Sequence, residues 1–194
     1  TTEIYTLSLH DALPIYGYEA IVCGENLTIH EAYRAFDGGT VSVTNSLLVA
    51  VTNWPTAFTS VNNVTNASGA GVFQTVGAGA HYLVDGSTNR NAGTTNINAD
   101  LLADLGQRTT YPPVVLSNVT ITASTNLLPQ AQRDTDIPDR GYHYDPIDVL
   151  MNSVNVTNAT MSLTNGAVMA VYGVNSGARS EEHTSELQSP NTKS

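Results

Sequence analysis

Five stretches of this chain repeat one pattern, in which apolar side chains alternate with Thr, Ser or Asn. They are NLTIHEA (26–32), TVSVTNSLLVAVTN (40–53), SVNNVTNAS (60–68), VVLSNVTITAST (114–125) and SVNVTNATMSLTNGAVMAVYG (153–173). Alternation with a period of two places one set of side chains on each face of an extended backbone, so these stretches predict strands. Thr and Val suit a pleated surface, and Asn and Gly suit the bends between strands. The first three runs recur at roughly 15–20 residue intervals with Asn at the bends, which suggests stacked coils of a solenoid rather than hairpins. Asp37-Gly38-Gly39 and Asp85-Gly86 read as turns, each leading into a longer excursion. Period 3.6 is almost absent. The one helical segment expected is NADLLADLGQ (98–107), with Asn98 as its cap, Leu101, Leu102 and Leu105 along one side and Gly106 as its stop. The fold class predicted is all-β, with a β-sandwich as the alternative to stacked coils.

Charge narrows the function. The 194 residues carry 17 acidic and 7 basic side chains, a formal net charge of −10. That balance argues against nucleic acid as a partner, because phosphate binding needs clustered Lys and Arg. No apolar run approaches the ~18 residues of a membrane-spanning helix. The single cysteine, Cys23, excludes both a disulfide scaffold within the chain and a multi-cysteine zinc site. Set beside apolar residues, it reads as a small buried hydrophobe.

The two ends read differently from the rest. TTEIYTLSLHDALPI (1–15) resembles the in-frame translation of the forward adapter of a sequencing library, and RSEEHTSELQS (179–189) that of the reverse adapter, with 190–194 as trailing sequence. Residues 1–15 have no basic leading region and carry Glu3 and Asp11 within the would-be apolar stretch, so they do not read as a signal peptide. His10, Asp11, Glu181, Glu182, His183 and Glu186 therefore carry no functional weight, although SEEHTSEL could form a short helix. The remaining insert, 16–178, holds twelve acidic residues against five arginines and no lysine, a net charge of −7.

Within the insert, HYLVDGSTNRNAGT (81–94) resembles the Y-x-L-x-x-G-S-P-x-x-x-A-G-T signature that follows the last coils of bacterial right-handed parallel β-helix proteins, with Thr88 where that family often has Pro. DIPDRGYHY (136–144) resembles their D-x-x-x-x-D-x-G-A-Y-E closing signature, with Tyr142, His143 and Tyr144 in place of Ala-Tyr-Glu. The longer RDTDIPDRGYHYDPIDVL is similar to segments of very large secreted β-helix proteins of environmental bacteria. The resemblance implies pectate-lyase-like coils over 16–80 and an irregular capping tail over 81–148. A further β segment would begin at 149–178, cut before its partners. A terminal coil presents unpaired backbone groups and must be capped, which is the work expected of the tail. A slice of about three coils is near the minimum for a stable solenoid, so marginal stability is expected.

Three groups of residues could carry chemistry. Glu31, Arg34 and Asp37, with His30, cluster in TIHEAYRAFDGG. The family resemblance implies an Arg or Lys base with Ca²⁺-binding carboxylates in a lyase, or paired carboxylates in a hydrolase, so these three are the catalytic candidates. On a strand over 27–31 Glu31 would fall on an apolar face, or else it begins the turn. Asp134, Asp136 and Asp139 are the candidate Ca²⁺ ligands, since spaced carboxylates in a bent loop can supply oxygens to that ion. The alternative is that the acidic residues of 134–148 cap turns and pair with Arg133 and Arg140. His143, between Tyr142 and Tyr144, could serve acid–base work or sugar binding, or could simply hydrogen-bond within a packed tail. Trp54 reads as a carbohydrate platform or as a lid over a coil, the lid being favoured because Pro55 breaks the strand. Six Asn-x-Ser/Thr triplets, at Asn26, Asn63, Asn66, Asn118, Asn155 and Asn158, read better as stacked corner residues than as glycan acceptors.

Two functions follow as expectations. One is a non-catalytic, adhesive or carbohydrate-contacting scaffold within a large extracellular or cell-surface bacterial protein, with polysaccharide or other surface proteins as partners. The other is the C-terminal end of a secreted polysaccharide lyase or glycoside hydrolase whose active-site coils lie elsewhere.

Overall fold

The computed structural model describes residues 21–173 in full and the backbone of 7–8 and 15–16. Residues 1–6, 9–14, 17–20 and 174–194 lie outside the described part, and with them His10, Asp11, the acidic residues and His183 of the C-terminal segment, and the helix expected through 180–187.

The described chain is built almost wholly of short strands. In order they are β1 (Leu7–Ser8), β2 (Ile15–Tyr16), β3 (Ile21–Glu25), β4 (Thr28–His30), β5 (Phe36–Asp37), β6 (Thr40–Thr44), β7 (Leu47–Val49), β8 (Ala57–Val61), β9 (Val64–Asn66), β10 (Phe73–Val76) and β11 (Gly79–Leu83). The helix α1 (Ala99–Leu105) follows. Then come β12 (Val114–Ser117), β13 (Thr120–Ile121), β14 (Thr125–Leu127), β15 (Val149–Asn152), β16 (Asn155–Val156), β17 (Met161–Leu163) and β18 (Met169–Val171).

Among the described residues the strands pair in parallel, save for the antiparallel hairpin β10–β11, and a single antiparallel bridge joins Thr109 to Tyr144. One sheet runs β1-β4-β7-β9, a second β3-β6-β8, and a third pairs β2 with β5. This is not the antiparallel arrangement of a β-sandwich. The first half therefore repeats a strand, a two-residue corner and a second strand. The corner residues Asn26, Asn45 and Asn62 have φ of 52°, 52° and 56°. Asn tolerates this left-handed conformation better than other side-chain-bearing residues, so its recurrence sets where each strand bends. β1 and β2 join their sheets by parallel backbone pairing, with Leu7 opposite Ile29 and Ile15 opposite Phe36.

Alternation places the core. Val41 and Val43 of β6 are fully buried with Ile29, Phe36 and Leu48, and Val22, Leu27 and Phe58 pack against them. A second cluster joins Leu47 and Val49 to Val72 and Leu83, so the β10–β11 hairpin covers the flank of β7 and β9. Because Val22 faces the first cluster, Cys23 faces out: the sequence reading of it as buried is corrected, and the thiol is free and exposed. Asp37-Gly38-Gly39 links β5 directly to β6 rather than opening an excursion, with φ of 78° and 73° at the two glycines.

The second half carries its own parallel sheets, β12-β15-β18, β13-β16 and β14-β17. Residues 114–127 are thus partners of 149–171, where the sequence suggested a lone strand in the tail and a β segment without partners. Val114 pairs with Val149, and Val149 in turn with Met169. Sequence periodicity cannot find the pairing of β12 with β15, because the irregular stretch 128–148 lies between the two runs. The expected helix forms where predicted: the Asn98 side chain accepts from the amides of Asp100 and Leu101, and Leu105 is buried. Gly106 ends it in a right-handed conformation, φ −61°, so its stop does not use glycine's freedom.

Candidate functional site

The tail between the two halves lies along the row of corner asparagines. Asn45 Nδ2 donates to Asn26 Oδ1 (3.3 Å), and Asn62 Nδ2 donates to Asn45 Oδ1 (3.2 Å). The row is thus Asn26–Asn45–Asn62, and only Asn26 belongs to the six triplets expected to stack. Asn63 instead braces the backbone, accepting from the Ser46 amide and donating to the Val43 carbonyl. The tail docks on the same row. Asn62 donates to the Ala92 carbonyl, Asn45 to that of Thr94 and Asn26 to that of Asp139. Gly141 N–H donates to the Asn45 carbonyl at 2.7 Å, and Tyr142 N–H to Thr28 Oγ1.

Two glycines of the resembling signatures allow this approach. A Cβ on Gly93 would lie 2.5 Å from the Pro138 carbonyl oxygen. Gly141 has φ +90°, and a Cβ there would lie 2.7 Å from Thr28 Oγ1 and 2.8 Å from Leu47 Cδ1. Gly141→Ala combines left-handed strain with overpacking of a fully buried Leu, and is expected to lower the unfolding free energy by about 3 kcal/mol. Urea denaturation followed by circular dichroism checks it, and an unchanged midpoint would remove this account of the docking.

Three of the titratable residues of the tail meet in one buried place. His143 Nε2 lies 2.6 Å from Asp134 Oδ2, and Nδ1 lies 3.0 Å from the Gly141 carbonyl. Only an Nδ1–H can bond that carbonyl, since the carbonyl oxygen accepts. Asp139 takes the Asn91 amide on Oδ1 (2.7 Å) and the Thr110 hydroxyl on Oδ2 (2.5 Å), while its own amide donates to Asp134 Oδ2 (2.8 Å). Burial, with Asp134 nearby, pushes the Asp139 carboxyl up, against the pull of Thr110 and Asn91. Asp134 Oδ1 is buried with no hydrogen-bond partner. Donor atoms of Asp134, Asp139 and His143 all lie within 4.8 Å of one another.

This arrangement differs from the carboxylate trio drawn from the sequence. Asp134 and Asp139 come together, but Asp136 is exposed and His143 takes its place. His143 arises from spacing that no periodicity reveals, since the ring reaches back nine residues across a turn. Its imidazole is fully buried and both nitrogens are engaged, so it presents no free nitrogen to a substrate. The aromatic neighbours pack as a stack. Tyr82 and Tyr144 lie 4.4 Å apart and Tyr142 meets Tyr144 edge-on at 5.0 Å. Burial, then Tyr144 and Tyr142, pushes the Tyr82 phenol up to about 12.

Two other acidic residues of 134–148 hold arginines, and for Arg133 the pairing read from the sequence forms. Arg133 pairs with Asp148 and Arg108 with Asp104 and Asp145. Arg140 departs from it: its guanidinium donates to Asn62 Oδ1, not to a carboxylate, and its Nε is buried without a partner.

The catalytic candidates divide. Glu31 has φ 57°, so it leaves the strand at His30 and begins the turn, exposed, with Oε1 3.7 Å from His30 Nε2. His30 and His81 meet at 3.1 Å between ring nitrogens, both against Phe73, and burial followed by His30 lowers the His81 pKa. Arg34 and Asp37 form a half-exposed ion pair of 2.8 Å. Both line an open groove of about 450 Å³ with Phe36, Gly38, Gly39 and Trp54–Ala57. Glu31 is not part of this lining. Trp54 is 39 % exposed and packs at a tilt against Phe58, with ring centroids 5.1 Å apart.

Comparisons with protein-family models, with curated proteins and with solved structures gave no match. Among the described residues no helix is long and apolar enough to cross a membrane.

Proposed function

We propose that the parallel strands are coils of a right-handed parallel β-helix, and that the chain is a non-catalytic segment of a large extracellular or cell-surface bacterial protein. Its work is that of a scaffold that contacts carbohydrate or adheres to a surface. The observation that carries this reading is the stacking of like on like. Strand–Asn–strand units pair in parallel at separations of 19 and then 17 residues, with one asparagine hydrogen-bonded to the next at each corner. Such an array offers a face of parallel strands on which Thr40, Thr59, Ser60 and Thr65 are exposed beside Ile21, Cys23 and Val61. A second observation favours a scaffold over an enzyme. The His–carboxylate group is closed off from solvent and holds the tail, rather than facing a cleft.

The test uses the whole 194-residue chain on immobilised polysaccharides, neutral and uronic, with the chain length of each polymer followed in parallel. Retention with polymer length unchanged is expected. Shortening of a polymer, or new unsaturated uronic ends, would replace this reading with that of a lyase or hydrolase terminus.

A further inference from the structure

We infer that the groove between Arg34–Gly39 and Trp54–Ala57 is a binding site for a neutral pyranose ring, with Trp54 as its platform and the Arg34–Asp37 pair as its hydroxyl-reading edge. The inference rests on the carbohydrate-contacting reading above and names its site and ligand class.

The groove is built from two successive repeats. Arg34 bridges Asn53 in parallel, Asn53 N–H donates to the Tyr33 carbonyl, and Thr40 pairs with Ala57 beyond the turn. The two walls are therefore held by sheet hydrogen bonds at either end, at a strand spacing of about 4.8 Å. At about 450 Å³ the space falls in the range of small-ligand sites. Gly38 and Gly39, both at positive φ, form a rim without side chains and leave the mouth open.

Trp54 is the one large aromatic ring on the lining that keeps a substantial exposed surface. Phe58 supports it from one side, and Pro55 fixes the backbone next to it, so little freedom is lost when a ligand lands. An indole face is electron-rich and apolar, and the C–H face of a pyranose is weakly positive and apolar, so the two match in shape and charge. The ring's hydroxyls need both donors and acceptors at its edge. Arg34 offers guanidinium N–H donors and Asp37 a carboxylate acceptor, and with side chains 40 % and 32 % exposed both can be reached. Because each charge is already neutralised by the other at 2.8 Å, the edge has no net attraction for an anion. A uronate would have to compete with Asp37 for Arg34, so a neutral sugar is favoured.

Trp54 is the only tryptophan of the chain, so its fluorescence reports on this groove alone. The experiment titrates the full chain with neutral hexasaccharides of glucose, mannose, galactose and xylose, and with hexagalacturonate as the charged control. A saturable change in emission is expected with at least one neutral hexasaccharide, and a response at least ten-fold weaker with hexagalacturonate. Asp37→Ala should weaken the neutral ligand roughly ten-fold or more, since it removes a charged hydrogen-bond partner at an exposed position. Trp54→Ala should abolish retention on the matching immobilised polysaccharide, and Trp54→Tyr should restore part of it, with circular dichroism confirming an unchanged fold. If the chain is retained on a polysaccharide but Trp54→Ala and Asp37→Ala are retained equally, this site is wrong while the scaffold reading stands. If no neutral sugar alters Trp54 emission and no polysaccharide retains the chain, the site and the carbohydrate-contacting reading fail together. Tighter binding of hexagalacturonate would overturn the neutral assignment.

Discussion

Replacing Asn45 with Ala is expected to remove about 4–5 kcal/mol of stability, a large share of the about 5–15 kcal/mol that a domain holds. Asn45 is fully buried and uses its whole hydrogen-bonding capacity. Nδ2 donates to Asn26 Oδ1 and the Thr94 carbonyl (2.8 Å), and Oδ1 accepts from the Thr94 amide (2.8 Å) and Asn62 Nδ2. Its backbone amide also meets the Val61 carbonyl, and its carbonyl accepts from Gly141. Alanine would leave both backbone groups of Thr94 without their partner, at about 1–3 kcal/mol for each group stranded away from water. It would also hold a Cβ at φ 52° without the local hydrogen bonding that lets Asn accept it, at about 1 kcal/mol. The two contributions separate. Asn45→Gly relieves the backbone strain and should recover about 1 kcal/mol relative to Asn45→Ala, leaving the stranded groups unpaid. Denaturant unfolding of the three proteins measures this. If Asn45→Ala falls within about 1 kcal/mol of the wild type, the corner row does not hold the tail.

That asparagine shows what was legible in the sequence and what was not. The strands were legible, because alternation is a local pattern: TVSVT becomes β6, with Val41 and Val43 inside. The corners were legible as positions, since few side chains tolerate positive φ, but the choice among neighbouring asparagines was not. Asn62 rather than Asn63 takes the left-handed corner, and nothing local to that pair tells them apart. The helix was legible because its cap and its leucine spacing lie within ten residues. Contacts across irregular chain were not. The meeting of Asp134 with His143 and of Asp139 with Thr110 depends on how the tail folds back over the corner row. The same holds for 114–127 beside 149–171. The groove was half legible: Arg34 and Asp37 stood out as a cluster, but Trp54 joins them only because the next repeat stacks upon theirs.

The second half of the molecule should depend on one carboxylate as heavily as the first depends on Asn45. Asp148 is fully buried. Its Oδ1 accepts from the amides of Gln130 (2.8 Å) and Ala131 (3.1 Å) and from Arg133 Nη1 (2.6 Å), and its Oδ2 from Arg133 Nη2 (3.2 Å) and the Val168 amide (2.8 Å). One side chain therefore ties the loop at 130–133 to the turn that enters β18, while the Asp148 carbonyl accepts from Val114 at the start of β12. Burial by itself would raise its pKa, but Arg133 and the three amides outweigh burial and hold it down to about 2. A folded value below the unfolded one means that its stabilisation is present above about pH 4 and is lost as pH falls toward 2. The difference from the ordinary aspartate value of 3.8 amounts to about 2 kcal/mol. Asp139 acts with the opposite sign: its raised folded pKa means that ionising it costs stability, and that cost appears as pH rises above the unfolded value. The loss below pH 4 is then assignable to Asp148 by substitution. Asp148→Asn should cost about 3–5 kcal/mol at neutral pH, because it leaves Arg133 buried in part without its anion and turns an amide donor toward other donors. It should also flatten the fall in stability between about pH 4 and pH 2, since the group that titrates there is gone. Urea unfolding at a series of pH values, for wild type and Asp148→Asn, measures both effects. A mutant as stable as the wild type at neutral pH, or one whose acid limb runs parallel to it, would mean that the parallel strands β12, β15 and β18 hold the second half together without help from the Arg133–Asp148 pair.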